Sequence, residues 1–416
     1  MVGILEGIRI MNYQWNKVYN LIIQIKQDYI NRFGAIKEYN LETWLAELDN
    51  PEYNDFFSCL QLNHHNGELL IRYGIADMQQ SMWTDPDSMY RECRSLVIDL
   101  VNDEIIASPF RKFFNMNETV QTMEDVVRER IESARMLEIT DKKDGSMQFA
   151  RYYRGQIKLY GSMALDPNNS WRLKDGYTKL TDNIKKMIIE NANLTFIFEY
   201  ISLADQHVVH YTEEGLFLLG IRDVDTGREF HYYEIEQMAQ SYDVPMIEIQ
   251  NKTFDQILAE MKTLESDKAE GWVLNIIGND INGNEESLRL KIKGDQYVAL
   301  HRMIDKISSI NVVIKNVADD TYDDLFSKVP VNYRDRVQKI ADQVFRYMRD
   351  TNAKIEEYYT EAPKGDKKEY MLWVDANIPR ELRGNLRNKY LNKPCHPIKK
   401  SNGGYKSAKE IGIIIE

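Results

Sequence analysis

The residues of this chain that are best suited to take part in a chemical reaction are charged side chains at the ends of short apolar runs. Lys142 precedes an Asp-Gly pair in residues 136–150, MLEITDKKDGSMQFA. Asp-Gly favours a tight turn with positive φ, so this segment is predicted to be a hairpin that presents Lys142. Alternation sends Lys142 and Lys143 to opposite faces, so only one of them can enter a pocket. Taken alone, the pattern is also typical of an exposed hairpin tip.

Further cations flank this segment in a way that favours an anion site. Arg94 and Lys112 both shortly precede the lysine segment, although a local salt bridge on an aromatic core would also explain them. In SLRLKIK, alternation places Arg289, Lys291 and Lys293 on one strand face. Like charges in such an arrangement repel by a few tenths of a kcal/mol per pair. A bound anion or opposing carboxylates would offset that repulsion.

Two carboxylates stand in or beside predicted strands. Glu199 lies inside the apolar and aromatic run LTFIFEYI, and Glu270 heads the strand that begins Gly-Trp-Val-Leu. Ionised carboxylates are rarely buried without a partner. Glu199 therefore either pairs with a structural base or serves a ligand, and the sequence leaves both readings open.

The elements that must position these residues are mostly strands before residue 300 and helices after it. Apolar spacing predicts helices, and alternating apolar runs predict strands. A mostly antiparallel N-terminal domain, residues 1–300, is therefore expected before an all-α C-terminal domain, residues 301–416. The N-terminal predictions include helices at 13–33, 174–191 and 232–241, a hairpin at 59–74 that turns at Asn66-Gly67, and strands at 94–99, 105–108, 155–163, 194–201, 208–211, 215–222 and 287–293.

Composition limits the class of protein. The chain has 416 residues and a net charge of −12, which argues weakly against a protein that coats nucleic acid through bulk charge. Residues 301–416 nevertheless carry 22 Lys and Arg against 17 Asp and Glu, a net of +5, so they are the more plausible polyanion-facing part, or simply a solvated surface. Three dispersed cysteines, the start MVGILEGIRI and the lack of a long apolar stretch favour a soluble, cytoplasmic protein without membrane contact.

The order of these motifs resembles the covalent nucleotidyltransferases, specifically the RNA ligase 1 family of T-even bacteriophages. Residues 142–146 match its lysine signature, and Glu199, Glu270 and the pair Lys291 and Lys293 match its later motifs. Features particular to that branch are also present. They are Ile106-Ala107-Ser108, Lys112-Phe113-Phe114-Asn115, Leu218-Leu219-Gly220-Ile221-Arg222 and Tyr297-Val298-Ala299-Leu300-His301. The resemblance covers residues 94–301, and beyond it only a similar helical domain is inferred.

The resemblance implies an α+β fold with a nucleotidyltransferase domain and a lysine that attacks the α-phosphorus of ATP. The amine must be unprotonated to attack, and neighbouring Lys291 and Lys293, partial burial and Mg²⁺ would depress its pKa. Arg94 and Lys112 would hold the β- and γ-phosphates, Glu199 the ribose, and Glu270 a Mg²⁺ ion, or Mn²⁺ in its place. The implied catalytic residues are Lys142, Lys291 and Lys293. The implied nucleotide contacts are Arg94, Lys112, Asp144, Gly145, Glu199, Glu270, Lys291, Lys293 and Tyr297.

Two positions depart from the family pattern. Tyr160 stands where a basic residue is expected, so a triphosphate contact is either missing or passes to Lys158 on the same strand face. Ser95 replaces the glycine that usually follows the arginine. Neither change removes a group needed for lysine adenylylation.

The sequence therefore predicts an ATP-dependent RNA ligase that joins 3′-hydroxyl and 5′-phosphate ends through lysyl-AMP and RNA-adenylate. Nicked tRNA is the substrate to which the resemblance points, with a possible end-healing kinase or phosphatase partner, and a monomer in the cytoplasm, that of the host if phage-encoded, is expected. The alternatives are a DNA ligase or mRNA-capping guanylyltransferase, and a nucleotide-binding regulator without turnover. The first two families add an oligonucleotide-binding barrel after the lysine pair, whereas this chain continues as helices.

Overall fold

The computed structural model describes residues 13–74, 81–280, 282–307, 309–327, 329, 331–400 and 403–414. The chain divides into two compact units, Met1–Tyr297 and Val298–Glu416. The opening segment MVGILEGIRI, from which a chain without a leader was predicted, lies outside the described residues. In the part of the chain that is described, no helix has both the length and the apolar character needed to cross a membrane.

The strands of the first unit are the elements that build its site. Among the described residues they are β1 (Leu60–His65), β2 (Glu68–Tyr73), β3 (Arg94–Asp99), β4 (Glu104–Ala107), β5 (Phe114–Asn115), β6 (Met136–Lys142), β7 (Ser146–Tyr153), β8 (Gln156–Gly161), β9 (Leu194–Ile201), β10 (Gly215–Asp223), β11 (Gly271–Asn279) and β12 (Glu285–Lys293).

These strands form three four-stranded sheets, ordered β1-β2-β3-β4, β10-β9-β7-β8 and β5-β12-β11-β6. The pairings are antiparallel except for the short parallel contact between β12 and β5. Antiparallel sheets with flanking helices in the first unit and helices in the second confirm the predicted α+β class.

Helices flank the sheets and make up most of the second unit. In the described part of the first unit they are α1 (Lys17–Phe33), α2 (Leu41–Leu48), α3 (Pro51–Phe57), α4 (Ser81–Thr84), α5 (Glu124–Glu132), α6 (Trp171–Thr178), α7 (Asp182–Glu190), α8 (Tyr232–Tyr242) and α9 (Phe254–Met261). Then come α10 (Asp295–Ile307), α11 (Ile310–Ala318), α12 (Tyr322–Phe326), α13 (Val331–Glu361), α14 (Lys367–Asn377), α15 (Arg380–Tyr390) and α16 (Ala408–Ile411).

Local capping explains where several helices begin and end. The Asn16 side chain accepts from the Tyr19 N–H at the start of α1, and Gly34, with φ of 84°, follows its last residue. The single helix predicted at 174–191 is instead two helices. The Thr181 side chain accepts from the Ile184 N–H, so a second helix starts there.

The segment around Lys142 is not the predicted hairpin. β6 pairs with β11, whereas β7 pairs with β8 and β9, so residues 143–145 cross from one sheet to another. The local pattern of two alternating runs around Asp-Gly is the same in both arrangements. Only the long-range partners of each strand distinguish them.

The strand predicted at 208–211 is also wrong. The N–H groups of Val208 and Val209 donate to Oδ2 of Asp144, at 2.8 and 2.9 Å. A backbone whose donors are taken by a carboxylate cannot offer them to a neighbouring strand. This loop is fixed by the lysine crossing segment instead.

The second unit has its own apolar core. Buried residues of α11 and α13, among them Val313, Val337 and Ile340, pack with Ile398 and Ile411 from the tail. The described part of the isoleucine-rich tail contains the short helix α16.

Candidate active site

The site residues lie on one face of the sheet β5-β12-β11-β6, in three rows that each run across β6, β11 and β12. Side chains two residues apart on a strand share a face. Register then gives the rows Lys142–Gly271–Lys293, Thr140–Val273–Lys291 and Glu138–Asn275–Arg289. These rows place alternate residues of 138–142 and 289–293 on the same face, on either side of β11.

The first row places two lysines on one buried carboxylate. Lys142 Nζ lies 2.6 Å from Glu270 Oε2, and Lys293 Nζ lies 2.8 Å from Glu270 Oε1. Glu270 is buried directly before β11. A Cβ on the next residue, Gly271, would lie 2.1 Å from the Ile292 carbonyl oxygen, so glycine permits this close approach of β11 and β12.

The predicted depression of the Lys142 pKa is wrong for the ligand-free protein. Burial lowers this pKa, but the negative charges of Glu270 and Glu199 raise it more, and the net direction is upward. The resting lysine is therefore a protonated ammonium held by Glu270. An opposite charge within contact distance dominates over more distant like charges.

The crossing segment is anchored by its own backbone. The Gly145 N–H donates to Glu199 Oε1 at 2.9 Å, and the Asp144 N–H donates to the Tyr211 hydroxyl at 2.7 Å. Gly145 does not have positive φ, contrary to the predicted turn. Instead, a Cβ here would lie 2.3 Å from the Tyr200 carbonyl oxygen, so close packing is what requires glycine.

Glu199 occupies a position that disfavours its charge. It is buried on β9, and burial, against the opposing effect of Lys142, raises its pKa to about 7. A carboxyl group with such a pKa changes protonation near neutral pH. It would be held ionised by a cation or by hydrogen-bond donors of a ligand.

Three cations gather around aromatic rings without carboxylate partners. Arg94 lies 4.6 Å and Lys291 5.2 Å from the Phe113 ring centroid, and Lys112 lies 5.0 Å from those of Tyr73 and Phe114. Among the described residues, none of the three has a carboxylate oxygen within 4.0 Å. Burial, together with Arg94, Lys142 and other cations, lowers the Lys291 pKa to about 6. The arrangement is electrostatically suited to a polyanion.

Binding of a polyanion is expected to load a proton onto Lys291. Near neutral pH this amine is mostly neutral, and a bound anion favours its charged form, so its pKa rises and the protein takes up a proton. Titrating tripolyphosphate calorimetrically in buffers of different ionisation enthalpy should show uptake approaching one proton per anion.

A Lys291→Met variant is the matched control for this uptake because methionine keeps much of the side-chain volume. Its proton uptake should fall to a small residual contributed by other groups. Equal uptake by the variant and the parent protein would show that Lys291 does not titrate with the anion.

Beside these charges lies a cavity of about 270 Å³ whose walls combine apolar side chains with charged and polar ones. Its apolar lining includes Met147 of β7, Leu219 of β10, Val273 of β11, Ile235 of α8 and Ile247 from the loop after α8. Polar groups stand at two ends, with Lys142 and Lys293 in the first row and Glu138 and Asn275 in the third. A flat apolar group with polar edges suits such a space.

The structure brings most of the predicted site residues together. Arg94, Lys142, Glu199, Lys291 and Lys293 line the cavity, and Lys112 lines the adjoining one. Lys143 lines the cavity as well, so the prediction that only one of the two lysines enters a pocket is wrong. Asp144, Gly145 and Tyr297 instead hold the crossing segment, with the Tyr297 hydroxyl donating to Asp144 Oδ1 at 2.8 Å. The Lys143 ammonium lies 3.3 Å from Asp141 and 4.8 Å from the Phe217 ring centroid, away from Glu270.

Tyr160 and Lys158 are engaged elsewhere. Both reach Glu68 on β2, the tyrosine hydroxyl at 2.9 Å and the lysine ammonium at 2.8 Å. Tyr160 is buried and packs on Phe149. Of the two alternatives for the triphosphate contact, transfer to Lys158 therefore conflicts with the ion pair of Lys158 with Glu68.

Ser95 adopts the left-handed backbone conformation, with φ of 70°. Glycine reaches this region without steric cost, which explains why a glycine would suit the position. Here the Ser95 hydroxyl donates to the Ser162 carbonyl oxygen at 2.8 Å, which helps to hold the strained residue.

Two branch-specific motifs prove to be architectural. The buried Arg222 donates to Glu92 at 2.8 Å and to the Ser108 hydroxyl at 2.9 Å, which ties β10 to the segment after β4. A Cβ on Gly220 would lie 2.2 Å from the Phe110 ring, so glycine lets this aromatic wall of the cavity approach β10.

The acidic side chains of the site decide whether it can hold a divalent metal. No group of three or more His, Cys, Asp or Glu side chains that could hold a metal occurs among the described residues. Both Glu270 oxygens contact lysines, and Glu199 Oε1 accepts from a backbone N–H. Mg²⁺ commonly binds through one or two carboxylates, several waters and substrate phosphates. Glu199 and Glu270 fit that pattern only with phosphate oxygens present.

Sequence reasoning missed Glu138, Asn275 and the role of Phe113. Part of this could be read from the sequence. Strand alternation puts Asn275 on the same face of β11 as Val273, and Glu138 on the same face of β6 as Lys142. Their meeting depended on the register between strands that are far apart in the chain.

A match to the RNA ligase family spans residues 92–297. This range contains the rows, the cation cluster, Glu199 and Glu270. The chain belongs to the RNA ligase family. An RNA ligase homologue of Thermovibrio ammonificans is 25% identical over 370 residues, which cover 84% of this chain and 88% of that protein.

Other proteins match over a smaller share of the chain or at lower identity. RNA ligase 1 of bacteriophage TS2126 is 25% identical over 148 residues, 34% of this chain and 36% of that protein. The Naegleria gruberi RNA ligase with pyrophosphate matches with 20% identity and a TM-score of 0.34, over 43% of this chain and 55% of that chain. An archaeal ATP-dependent RNA ligase matches with 13% identity and a TM-score of 0.43, over 79% and 86%.

Proposed function

We propose that this ATP-dependent RNA ligase uses Lys142 as its nucleophile and seals RNA ends in three steps. The observation that carries the proposal is that Lys142 lines a cavity with an apolar wall together with Arg94 and Lys291, cations that lack carboxylate partners among the described residues. A nucleoside triphosphate supplies both the flat apolar group and the polyanion that these two regions suit.

In the first step the Lys142 amine attacks the α-phosphorus, a nitrogen–phosphorus bond forms, and pyrophosphate leaves. The ammonium must first lose a proton, and Glu270 Oε2 at 2.6 Å is within hydrogen-bond reach to accept it. Arg94, Lys112 and Lys291 stabilise charge on the phosphates of the leaving group. Adenylylation removes the charge of Lys142, so Glu270 then keeps only Lys293 as its cationic partner.

In the second step an oxygen of the RNA 5′-phosphate attacks the same phosphorus, and the Lys142 amine leaves with a proton. In the third step the RNA 3′-hydroxyl attacks the activated 5′-phosphate, loses its proton and displaces AMP. Lys291 and Lys293 lie on the same face as Lys142, so they can stabilise negative charge in all three steps.

A divalent ion, Mg²⁺ or Mn²⁺, would be held by Glu270, and Glu199 is a further candidate ligand. Such an ion supplies charge neutralisation at the phosphates when bound. The residues of the chain supply the positioning, because Gly145 fixes Glu199 and the two lysines fix Glu270.

The test is incubation of the protein with α-labelled ATP or GTP, followed by 5′-phosphorylated RNA or nicked DNA. Labelled protein from ATP and sealing of RNA are the expected results. Labelling by GTP alone would indicate a capping guanylyltransferase, and sealing of DNA alone a DNA ligase. Nucleotide binding without a covalent adduct would indicate a regulator without turnover.

We further propose that the second unit helps to select structured RNA, with tRNA nicked in its anticodon loop as the substrate and an end-healing enzyme as supplier of the required ends. What supports this is the charge of residues 301–416, a net of +5 against −17 for residues 1–300. Lysine and arginine contacts to phosphate dominate RNA affinity.

Truncation after Ile307, which keeps α10 whole, is expected to leave lysyl-AMP formation intact because the proposed site residues precede Val298. Preference for a nicked tRNA stem-loop over unstructured RNA of equal length should fall by about tenfold. The measurement is the ratio of sealing rates with and without the second unit. An unchanged ratio would mean that substrate choice resides in the first unit.

A further inference from the structure

One buried amide oxygen at the far end of the cavity has no partner. Asn275 is only 7% exposed and lines the cavity, and its Oδ1 has no hydrogen-bond partner among the described residues. A buried acceptor left unsatisfied costs about 1–3 kcal/mol. Such a group in a ligand cavity indicates a donor on the ligand.

The orientation of this amide is fixed by its neighbour. Asn275 Nδ2 donates to Glu138 Oε2 at 2.9 Å, and Glu138 Oε1 accepts from the Tyr232 N–H at 2.7 Å. A carboxylate only accepts hydrogen bonds, so the amide nitrogen must face Glu138. Asn275 therefore offers an acceptor to the cavity, and turning it over would set two oxygens against each other.

The distance from this oxygen to the reactive row suits a nucleotide. Glu138 and Asn275 share a row four strand residues from Lys142, which at about 3.3 Å per residue is about 13 Å. That span matches an extended nucleoside monophosphate whose phosphorus lies at the lysine. Ile235, Ile247 and Val273 supply apolar surface for a flat ring between the two ends.

We infer that Asn275, oriented by Glu138, accepts a hydrogen bond from the 6-amino group of adenine and thereby selects ATP over purine nucleotides with a 6-oxo group. The inference rests on the proposed function and adds the residue that reads the base. A 6-oxo group would place a second acceptor against Asn275 Oδ1. Sites built to bond a substrate N–H discriminate strongly against analogues without it, because their own polar group is then left unpaired.

The experiment measures covalent adduct formation by the full-length protein at subsaturating nucleotide with three α-labelled probes. They are ATP, inosine triphosphate, which carries a 6-oxo group, and purine riboside triphosphate, which carries only hydrogen at that position. The parent protein should prefer ATP to purine riboside triphosphate by about tenfold or more, and to inosine triphosphate by a larger factor.

Two variants distinguish the effect of the Asn275 acceptor from the effect of the Glu138 contact that orients it. Asn275→Leu should bring ATP and purine riboside triphosphate to within about twofold of each other, because the acceptor is gone. In Glu138→Gln, the new glutamine side chain can still accept from the Tyr232 N–H and can also donate to Asn275 Oδ1. The Asn275 amide can then turn over, so that its Nδ2 faces the cavity and donates to a 6-oxo group. Relative use of inosine triphosphate should then rise by about tenfold. If the leucine variant does not fold, this second variant still decides the point.

Thr140→Val is the matched control, since Thr140 also lines the cavity one row closer to Lys142. It should retain the preference for the 6-amino group. Loss of that preference in Thr140→Val but not in Asn275→Leu would overturn the assignment. Equal labelling of the parent protein by all three probes would overturn the inference alone, whereas absence of any adduct would overturn the proposed function as well.

Discussion

Lys142→Ala is expected to reduce covalent AMP transfer below detection, because the variant lacks the amine that forms the nitrogen–phosphorus bond. Lys143→Ala should retain measurable transfer, since its ammonium lies at Asp141 and Phe217 rather than at Glu270. The measurement is denaturing electrophoresis after incubation with α-labelled ATP. Sealing of unadenylylated RNA should follow the same pattern.

Lys142→Arg is the control that keeps a cation beside the buried Glu270. It should fold as the parent protein does but fail to form the adduct, because the guanidinium remains protonated. Labelled adenylate on Lys142→Ala would refute the assignment of the nucleophile. A loss of labelling in Lys143→Ala as complete as in Lys142→Ala would show that both lysines are required.

Asp144→Ala is expected to cause the largest loss of stability among the site variants, about 3 kcal/mol or more in the free energy of unfolding of the first unit. The carboxylate is 6% exposed and accepts from the Val208 N–H, the Val209 N–H and the Tyr297 hydroxyl. Its removal leaves buried donors unpaired, at about 1–3 kcal/mol for each group. Denaturant unfolding followed by tryptophan fluorescence would measure the change.

Tyr297→Phe removes a single one of these hydrogen bonds and should cost about 1 kcal/mol. A larger loss in the free energy of unfolding for Asp144→Ala than for Tyr297→Phe is expected if Asp144 anchors the loop at 208–211. Equal unfolding midpoints for Asp144→Ala and the parent protein would contradict that role. Adduct formation should also fall in Asp144→Ala, because the anchor adjoins Lys142.

Particular residues show how far the sequence could go. Alternation placed Arg289, Lys291 and Lys293 on one face, and the structure has them there because neighbouring side chains on a strand must point to opposite sides. The helix before Gly34 and the strand around Glu199 were predicted for similar local reasons. The cap at Thr181, which starts α7, is a local feature of the same kind.

Other errors arose where a local pattern has two tertiary solutions. Two alternating runs around Asp-Gly fit a hairpin and a sheet crossing equally well, and the choice depended on β11 and β9, whose paired residues lie at least 46 positions away along the chain. The pKa of Lys142 was misjudged because Glu270 lies 2.6 Å from it, closer than the sequence alone could specify.

The sequence by itself determined the class of fold, the family and the residue types at the site, because strand alternation, helix spacing and motif order are properties of neighbouring residues. Only the tertiary structure decided that Lys291, rather than Lys142, has the lowered pKa, and that Asn275 ends the cavity with an unpaired oxygen. Burial and the distances between charges control these properties, and they arise when strands remote in the chain are brought into register.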